Sequence, residues 1–583
     1  MPPQTAPTTP PAWIHAPRPT GSGAVDQSVA LWSALAALGV TDAVLAPGSR
    51  SAPLVYGLAA PEIEGRIRAH VRIDERAAAF TALGLSRHDP AHPAAVVTTS
   101  GTATAHLHAA VMEAHHSRIP LLVLTADRPA ELREVGANQT TRQAGMFRSL
   151  VRWDVDLPAP TASAASPVEL RTAVSTAARA VAAATAEHPG PVHLNLSFRD
   201  PLVPRPSAGP APAQQERARI VLTHRARPAA PAPQPVPISD RTVVIAGDGA
   251  GPAAAELADR HLLPLLAEPS SGARHGRTLI AGYPALLTEI MADRTHPLRP
   301  QRAIVLGHPT LSRPVVAALL GADDVEVIVV DAQLDWPDVA RRARLVVPAA
   351  VGQEESDEDA EDGQRSERRR EHLAAWREAA AEVTAALPTS WQRRAALAVW
   401  RATGADDVLV LGSSSLVRDL EQHAGASRAA VIANRGLAGI DGTTSMAGGL
   451  ALARRPAAAA DGAAPAAAPG RVRLLVGDLT ALHDLTGLVI GPDEQRPDLD
   501  VVIVDDGGGR IFSGLEHAAA PPALLRRFFT TPHGVDVAAA AAALGAAAQR
   551  VTAEELPAAL ARTEGGLRVL VVQETSSSDS LNS

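Results

Sequence analysis

Short apolar runs rich in valine, isoleucine and leucine alternate along the chain with longer amphipathic stretches. In the first part of the chain, a helical pattern is followed by strand-like runs: AVDQSVALWSALAALG, then DAVLAPGSR, AAVVTTSGT, RIPLLVLTADRP and GPVHLNLSF. Continuous apolar runs bounded by turn residues are typical of strands that are covered on both faces. Strands that alternate with helices predict a layered α/β domain with a parallel sheet.

The same alternation occurs twice more, so we predict three α/β units at residues 25–204, 238–387 and 388–575. A Pro/Ala-rich stretch at 205–237 predicts an extended linker. The Pro/Thr-rich residues 1–24 and the tail 576–583 are predicted to be disordered. Residues 457–470 are predicted to be a flexible insertion, and 354–372 a solvated loop that leads into a helix.

Composition excludes several classes of protein. The 583 residues carry a net charge of -8, and no basic block indicates a nucleic-acid partner. The absence of cysteine excludes thiol nucleophiles, iron–sulfur clusters and disulfides. All 54 basic residues are arginine, which excludes a lysine Schiff base and a P-loop NTPase. No apolar run is long enough for a membrane helix, and the N-terminus has no signal-peptide pattern, so we expect a soluble cytoplasmic protein.

Two predicted strands of the third unit end in carboxylates and glycine. RVRLLVGD places Asp478 after one strand, and LDVVIVDDGGG places Asp506 after the next, 28 residues later. Parallel strands joined by a helical crossover bring their carboxyl ends to one edge of a sheet, where both acids can face a hard cation. Mg²⁺ held in this way keeps positions for phosphate oxygens, which predicts a phosphorylated cofactor. Ordinary turn aspartates explain the spacing equally well.

This spacing resembles the metal motif of the thiamine-diphosphate-dependent decarboxylase superfamily. The resemblance implies that Mg²⁺ or Mn²⁺ is bound by Asp478, Asp506 and the backbone carbonyl of Gly508. Asp505 with Gly507 is the alternative, shifted by one residue. The chain departs from the motif twice, because Leu479 replaces its last glycine and Asp506 replaces its asparagine.

The stretch HVRIDERAAAF places Glu75 between a predicted strand and an amphipathic helix. The resemblance implies that Glu75 bonds N1′ of the cofactor's aminopyrimidine and thereby activates the thiazolium ring. A helix N-terminal glutamate that is favoured by the helix dipole is the alternative interpretation. Asp74 and Arg72 are expected to be structural partners.

Five further stretches narrow the resemblance: APGSRSAPL, TSGTATAHL, TADRPAELREVGANQTTRQAGMF, NRGLAGIDGTTSMAGG and GGGRIFSGL. Together they resemble the family of 2-succinyl-5-enolpyruvyl-6-hydroxy-3-cyclohexene-1-carboxylate synthases of menaquinone biosynthesis. This resemblance implies decarboxylation of 2-oxoglutarate and conjugate addition of the succinyl carbanion equivalent to isochorismate. It also implies three doubly wound parallel-sheet domains, named pyrimidine-binding, central and diphosphate-binding.

Both substrates are dianions, and guanidinium groups bind carboxylates with two bonds while remaining charged. The resemblance implies that Arg418 and Arg435 bind 2-oxoglutarate. It assigns isochorismate to Ser49, Arg50, Arg128 and Gln139, with Arg50 and Gln139 also catalytic beside Glu75. Any one of 54 arginines is more commonly a surface charge, so these assignments rest on the motifs.

The remaining residues implied by the resemblance surround the cofactor and its substrate. The cofactor contacts are Ser413, Ser414, Ser415, Ile440, Gly477, Leu479 and Ile511. Phe512 and Leu515 complete an apolar wall beside the substrate. His106 and Arg510 depart from the family pattern without removing a catalytic group.

Active sites between subunits of a homodimer or homotetramer are also implied. Two alternatives to the synthase function remain. The protein is another thiamine-diphosphate-dependent 2-oxo acid decarboxylase or carboligase, or it is a non-catalytic regulator that binds a metabolite with the same fold.

Overall fold

A computed structural model describes residues 11–205, 217–226, 229–354, 362–455, 470–562 and 565–574. The predictions for residues 1–10, 206–216, 457–469 and 576–583 therefore lie outside the described part of the chain. The chain divides into two compact units. The first contains the described residues of Met1–Pro228 together with Asp441–Arg455 and Asp484–Pro497. The second contains Ala229–Ile440, Pro456–His483 and Asp498–Ser583, again as far as they are described.

The N-terminal region contains a six-stranded parallel sheet with strand order β3-β2-β4-β5-β7-β6. Its strands, with the separate antiparallel pair β1 and β8, are β1 (Trp13–His15), β2 (Asp42–Leu45), β3 (Arg68–Val71), β4 (Ala95–Thr98), β5 (Leu121–Asp127), β6 (Asp154–Leu157), β7 (Pro191–Ser197) and β8 (Arg219–Val221). The helices are α1 (Gly23–Ala37), α2 (Ala52–Leu58), α3 (Glu75–His88), α4 (Thr102–Ala105), α5 (His108–His116) and α6 (Pro167–Ala184), with a 3₁₀ turn at Ala130–Leu132.

The central region contains a five-stranded parallel sheet with strand order β11-β10-β12-β13-β14, and a separate parallel pair of β9 and β15. The strands are β9 (Gln234–Ile238), β10 (Thr242–Ala246), β11 (Leu265–Ala267), β12 (Arg302–Leu306), β13 (Glu326–Val330), β14 (Ala343–Val347) and β15 (Ala350–Glu354). The helices are α7 (Pro252–His261), α8 (Tyr283–Ala292), a π-helix at Pro314–Leu319 and α9 (Asp362–Ala385).

The last region contains a second six-stranded parallel sheet, with strand order β17-β16-β18-β19-β21-β20. The strands are β16 (Val408–Leu411), β17 (Ala430–Ala433), β18 (Val472–Gly477), β19 (Leu499–Val504), β20 (Ala547–Val551) and β21 (Leu567–Val572). The helices are α10 (Trp391–Ala402), α11 (Ser415–His423), α12 (Thr443–Ala453), α13 (Asp478–His483), α14 (Pro522–Leu524), α15 (Val537–Ala543) and α16 (Leu556–Leu560). Shorter 3₁₀ and π segments lie at Leu485–Leu488, Arg510–Gly514, Glu516–Ala519 and Leu525–Thr530.

Three parallel sheets separated by helices confirm the predicted α/β class. The central strands form where the sequence has continuous apolar runs, and every residue of β2, β4, β5 and β7 is buried. Burial on both faces requires apolar side chains at successive positions, and this explains why the pattern is continuous rather than alternating. The division into three domains stays a prediction.

The predicted disorder of residues 1–24 and the unfolded linker at 205–237 are wrong in part. β1 lies in the first segment, β8 lies in the second, and the two strands pair with each other. Ile14 and Ile220 are buried in the core of the first unit, and Val236 in β9 is buried in the core of the second. A few apolar residues therefore fix segments whose average composition predicts an extended chain.

Two helices of the first unit approach each other closely through glycine. A Cβ atom at Gly84 of α3 would lie 2.0 Å from the carbonyl oxygen of Met446 in α12. A Cβ atom at Gly449 of α12 would lie 2.1 Å from the carbonyl oxygen of Thr81 in α3. The backbones of these two helices are therefore in direct contact, which a larger side chain at either position would prevent.

Among the residues that the structure describes, no helix combines the length and the apolar character that crossing a bilayer requires.

We predict that Gly449→Ala lowers the free energy of unfolding by about 1–3 kcal/mol, because the added methyl group overlaps the backbone of α3. Gly448→Ala is the matched control, since a Cβ atom at that neighbouring position meets no heavy atom within 4 Å. Alanine's better helix propensity should leave the control unchanged or stabilise it by up to ~1 kcal/mol. Urea unfolding followed by circular dichroism measures both, and equal losses would contradict close helix contact.

Candidate active site

The third sheet brings two acidic segments together at its carboxyl edge. β18 ends at Gly477 and β19 ends at Val504, and these two residues are paired in parallel register. Asp478 therefore follows one strand at the same level at which Asp505 follows the other. Asp506 comes one residue later. The predicted acids thus lie after neighbouring strands, with Asp505 at the level of Asp478.

Asp478 is the most buried of these acids, with 2 % of its surface exposed. Its Oδ1 accepts a hydrogen bond from the Leu479 N–H at 2.6 Å, and its Oδ2 accepts one from the Gly508 N–H at 2.7 Å. His533 Nε2 lies 3.2 Å from the same Oδ2. Asp478, Asp505 and His533 can each offer one ligand atom, and these atoms lie within 4.8 Å of one another. The possible metal ligands that lie close together therefore include Asp505, which is the alternative to Asp506 as a ligand.

Asp506 and Asp505 differ in how far the protein compensates their charge. Burial, and then the charge of Asp478, raise the pKa of Asp506 to about 6, whereas Arg510 and a hydrogen bond with Gln392 act in the opposite direction. Its nearest cation, the Arg510 side chain, is 3.9 Å away. Asp505 instead accepts hydrogen bonds from Gln573 Nε2 at 2.8 Å and from a backbone N–H at 3.3 Å. Asp478 and Asp506 are therefore a repelling pair that a divalent cation would stabilise.

Glycine is required at position 508 by its surroundings. Its φ is +141°, and a Cβ atom would lie 2.2 Å from the Thr530 carbonyl oxygen. The Gly509 N–H donates to the same oxygen at 2.7 Å. These glycines therefore allow the Asp506 loop to approach the segment before His533. Sequence analysis did not predict His533, which lies in a loop 55 residues after Asp478, and no strand or motif pattern points to it.

Three serines follow β16 at the same edge of the third sheet, because β16 and β18 are parallel neighbours. Ser414 caps α11, and its side chain accepts from the Leu416 N–H at 3.2 Å. The Ser413 hydroxyl is buried and has no hydrogen-bond partner within the described ranges. Ser415 is the first residue of α11. An unsatisfied buried hydroxyl next to a helix N-terminus, together with carboxylates along the same edge, fits a diphosphate bound through a hard cation.

In the first unit, Glu75 is the first residue of α3 and is half-buried. Asp74 is the N-cap, and its Oδ1 accepts from the Arg76 N–H at 2.8 Å. The Thr486 hydroxyl donates to Asp74 Oδ2 at 2.8 Å. Asp74 is thus the expected structural partner, and it fixes where α3 begins and where the Glu75 side chain emerges.

The residues assigned to isochorismate lie at the carboxyl edge of the first sheet. Arg128 donates to the Ser100 hydroxyl at 2.6 Å and to the Asn138 carbonyl at 3.0 Å. Gln139 Nε2 donates to the Ser100 carbonyl at 2.8 Å, and the Gln139 backbone has a φ of +55°. Arg50 donates to a backbone carbonyl at 2.9 Å. Ser100, which was not among the predicted residues, therefore links Arg128 with Gln139.

Neighbouring arginines in this group repel one another. Partial burial, and then the charge of Arg128, lower the pKa of Arg50. Ser49 precedes Arg50 in an exposed turn. Among the described residues, neither arginine forms an ion pair with an acid. The two guanidinium groups therefore keep charge that an anionic ligand can neutralise.

The second unit contains a similar arginine pair. Partial burial, and then Arg435, lower the pKa of Arg418 on α11. Arg435 follows β17 and is buried, and its guanidinium donates to the Thr310 hydroxyl at 3.1 and 2.6 Å. Within the described ranges, Arg418 and Arg435 also form no ion pair with an acid. The four predicted arginines thus fall into two pairs, one in each unit.

The predicted apolar wall lies beside the acidic edge. Ile511 and Phe512 belong to the 3₁₀ segment Arg510–Gly514, and Leu515 follows it. The ring of Phe512 lies 5.7 Å from that of Phe529. Ile440, which precedes α12, is half-buried, as is Gly477. The roles of these residues toward a cofactor stay predictions.

A buried network of polar side chains holds the backbone next to Ser100, through the N–H of Gly101. The Gly101 N–H donates to Gln143 Oε1 at 2.8 Å, and Gln143 Nε2 donates to Asn195 Oδ1 at 3.1 Å. The Thr125 hydroxyl donates to the same Asn195 oxygen at 3.0 Å. Because this hydroxyl has only one proton, the His193 ring must donate to it from Nε2 at 2.8 Å. The sequence offers no signal for this network, since its members are single polar residues in separate segments.

Residues 27–146 match the family described as thiamine pyrophosphate enzyme, N-terminal TPP binding domain. A relative from Kineococcus radiotolerans is 45% identical over 545 residues, which cover 92% of this chain and 93% of the relative. It is named 2-succinyl-5-enolpyruvyl-6-hydroxy-3-cyclohexene-1-carboxylate synthase. The chain belongs to this synthase family.

Two further relatives carry the same name. The one from Leifsonia xyli is 42% identical over 530 residues, covering 86% of this chain and 87% of the relative. The one from Thermobifida fusca is 41% identical over 563 residues, covering 92% and 94%. These matches confirm, at the level of the family, the predicted synthase and its thiamine-diphosphate dependence. The individual site residues stay predictions.

We predict that the contribution of His193 to the free energy of unfolding falls as the pH is lowered from 6.5 toward 4. Burial lowers the pKa of His193 from its ordinary 6.5 to about 4, so the unfolded chain binds a proton in this window while the folded chain does not. The neutral ring contributes fully above pH 6.5, and about 3 kcal/mol is lost on reaching pH 4. Urea unfolding at pH 7 and pH 5 should show that the wild type loses stability relative to His193→Gln, which keeps an N–H donor without titrating. An identical pH effect would contradict the assignment.

We predict that Mg²⁺ with thiamine diphosphate stabilises the wild type by about 2.7 kcal/mol at 100 times the dissociation constant. Asp478→Ala and Asp506→Ala should abolish this stabilisation in a thermal-shift titration, because each removes one acid of the repelling pair. Asp505→Ala is the matched control and should keep most of it. Loss in Asp505→Ala with retention in Asp506→Ala would assign the metal to the alternative residue.

Proposed function

We propose that this chain decarboxylates 2-oxoglutarate and adds the resulting four-carbon unit to isochorismate, giving 2-succinyl-5-enolpyruvyl-6-hydroxy-3-cyclohexene-1-carboxylate and CO₂ in menaquinone biosynthesis. The observation that carries the proposal is the pair of arginine sites. Each combines two mutually repelling guanidinium groups that form no ion pair with an acid among the described residues, while more distant acids offset part of their charge. Two dianionic substrates require two such sites, whereas a pyruvate-type substrate leaves no second carboxylate to bind.

Arg418 and Arg435 are proposed to bind 2-oxoglutarate. Their charges reinforce each other and favour a ligand with two carboxylates over one with a single carboxylate. Arg435 is fixed through a neutral hydroxyl, which orients the guanidinium without cancelling its charge. This arrangement combines preorganisation with a large electrostatic contribution to binding.

Arg50 and Arg128 are proposed to bind the carboxylates of isochorismate, with Ser49 as a further contact. Gln139 is proposed to orient the ring and to act with Arg50 in the addition step. The Ser100 contacts hold Arg128 and Gln139 in one arrangement. Such fixed positions can align the acceptor carbon for attack, because rigid orientation lowers the entropic cost of a two-substrate reaction.

Asp478 and Asp506, with the Gly508 carbonyl, are proposed to bind Mg²⁺ or Mn²⁺. Ser413, Ser414, Ser415, Gly477 and Leu479 are proposed to contact the diphosphate, and Ile440 and Ile511 the rings of the cofactor. Phe512 and Leu515 are proposed to exclude water from the reacting groups. Thiamine diphosphate supplies the electron sink for loss of CO₂ from a 2-oxo acid. Glu75 is proposed to hold a proton at N1′ of its aminopyrimidine.

The proposal includes self-association as a homodimer or homotetramer with active sites between subunits, and a cytoplasmic location.

The test supplies 2-oxoglutarate and isochorismate to the protein with Mg²⁺ and thiamine diphosphate, and follows CO₂ release and isochorismate loss. We expect both to proceed at equal rates, and pyruvate not to replace 2-oxoglutarate. CO₂ release without isochorismate loss would instead indicate a simple decarboxylase.

Glu75→Gln tests the role of the glutamate in the same assay. We predict that turnover falls by roughly 100-fold or more, because the glutamine amide cannot exchange a proton with N1′ of the aminopyrimidine. General acid–base catalysis typically contributes about 10²–10⁴-fold to the rate. Cofactor binding, measured by thermal shift, should change little. Turnover like the wild type would overturn the assignment of Glu75.

A further inference from the structure

Glu268 is a buried acid at the end of β11, the edge strand of the central sheet, and only 4 % of its surface is exposed. Its Oε1 accepts hydrogen bonds from the Thr310 N–H and the Leu311 N–H, both at 2.8 Å. Its Oε2 is buried and has no hydrogen-bond partner within the described part of the chain. One carboxyl oxygen thus fixes the turn that follows β12, and the other is left uncompensated.

The same turn holds Arg435. The Thr310 hydroxyl accepts from Arg435 Nε at 3.1 Å and from a terminal nitrogen of the guanidinium at 2.6 Å. Glu268 therefore fixes the backbone of Thr310, and the Thr310 side chain in turn fixes the Arg435 guanidinium. All of these residues belong to the second compact unit.

The state of Glu268 suits this indirect contact. Burial, and then the charge of Glu421, raise the pKa of Glu268 to about 8, whereas the two N–H donors and Arg435 act in the opposite direction. Near neutral pH a proton on Oε2 leaves Oε1 free to accept from both N–H groups. A neutral carboxyl orients the turn without neutralising Arg435. A direct ion pair would have fixed the arginine at the expense of its charge.

We propose that Glu268 is a positioning residue for 2-oxoglutarate, which acts through the Thr310–Leu311 turn to hold Arg435 while leaving its charge available to the substrate. The proposal rests on the proposed function, because it takes Arg435 as a contact of this substrate. It assigns to the central sheet a role in selecting a dicarboxylate. Neither Glu268 nor Thr310 lies in the motifs from which the site was predicted.

The experiment compares matched variants of the full chain loaded with Mg²⁺ and thiamine diphosphate. Glu268→Ala leaves the buried Leu311 N–H and the partly buried Thr310 N–H without this acceptor, and Thr310→Val removes the hydroxyl while keeping the shape of the side chain. Each should raise the KM for 2-oxoglutarate roughly tenfold or more, since an unsatisfied buried donor is costly. The KM for isochorismate should stay within about threefold of the wild type, because uniform damage would affect both substrates.

Conservative variants and a double variant test the path of the effect. Glu268→Gln keeps an oxygen acceptor and Thr310→Ser keeps a hydroxyl, so both should restore the KM to within about threefold of the wild type. The double variant Glu268→Ala with Thr310→Val should cost little more than the worse single variant, because both break one path. Should Glu268→Ala not fold, Glu268→Asp replaces it, because the shorter side chain withdraws the acceptor from the two N–H groups.

Arg435→Ala separates failure of this inference from failure of the proposed function. No rise in the KM for 2-oxoglutarate in Arg435→Ala would remove Arg435 from the site and so refute this inference, whereas the proposed function fails only if the wild type does not couple CO₂ release to isochorismate loss. A rise in Arg435→Ala, with equal changes for both substrates or no change in the Glu268 and Thr310 variants, would overturn the role of Glu268 alone.

Discussion

Like charges held close together are the interaction on which the candidate site depends. Three such pairs belong to the candidate site: Arg50 with Arg128, Arg418 with Arg435, and Asp478 with Asp506. Each arrangement is unfavourable in the protein by itself, because partial burial weakens the screening of the repulsion. A bound ligand of opposite charge removes the repulsion, and this relief adds to the free energy of binding. The first two pairs suit anions, and the third suits a divalent cation.

Parallel strand pairing is what places these charges. The register that pairs Gly477 with Val504 fixes the level of the acids that follow, and the neighbouring β16 brings the serines to the same edge. The first sheet holds Arg128 after β5 in the same way. Carboxyl ends of parallel strands are a general location for ligands, because the loops there can vary without disturbing the sheet. The glutamine and arginine contacts at Ser100 show how much of the final geometry then comes from loop hydrogen bonds.

The sequence predicts the central strands and the helices that begin at clear caps, because continuous apolar runs and capping residues are local signals. It does not predict the edge strands β6 and β20, whose residues are mixed and partly exposed. β11 is only three residues long and has no distinctive flank. Among site residues, Asp478 and Glu75 follow from strand-end positions and motifs. His533, Ser100 and Glu268 do not, since only the folded chain brings them to their partners.

The first compact unit includes α12 and the segment Asp484–Pro497, which the ribosome makes long after α3. Roughly 350 residues separate α3 from α12, so elongation at about 5–20 residues per second delays their meeting by roughly 20–70 s. During that interval the face of the nascent α3 that carries Gly84 lacks the helix that covers it in the folded unit. Translation that stops at Pro228 therefore yields a fragment without part of its own interior. Folding of the first unit is therefore completed only after residues 441–455 and 484–497 have been synthesised.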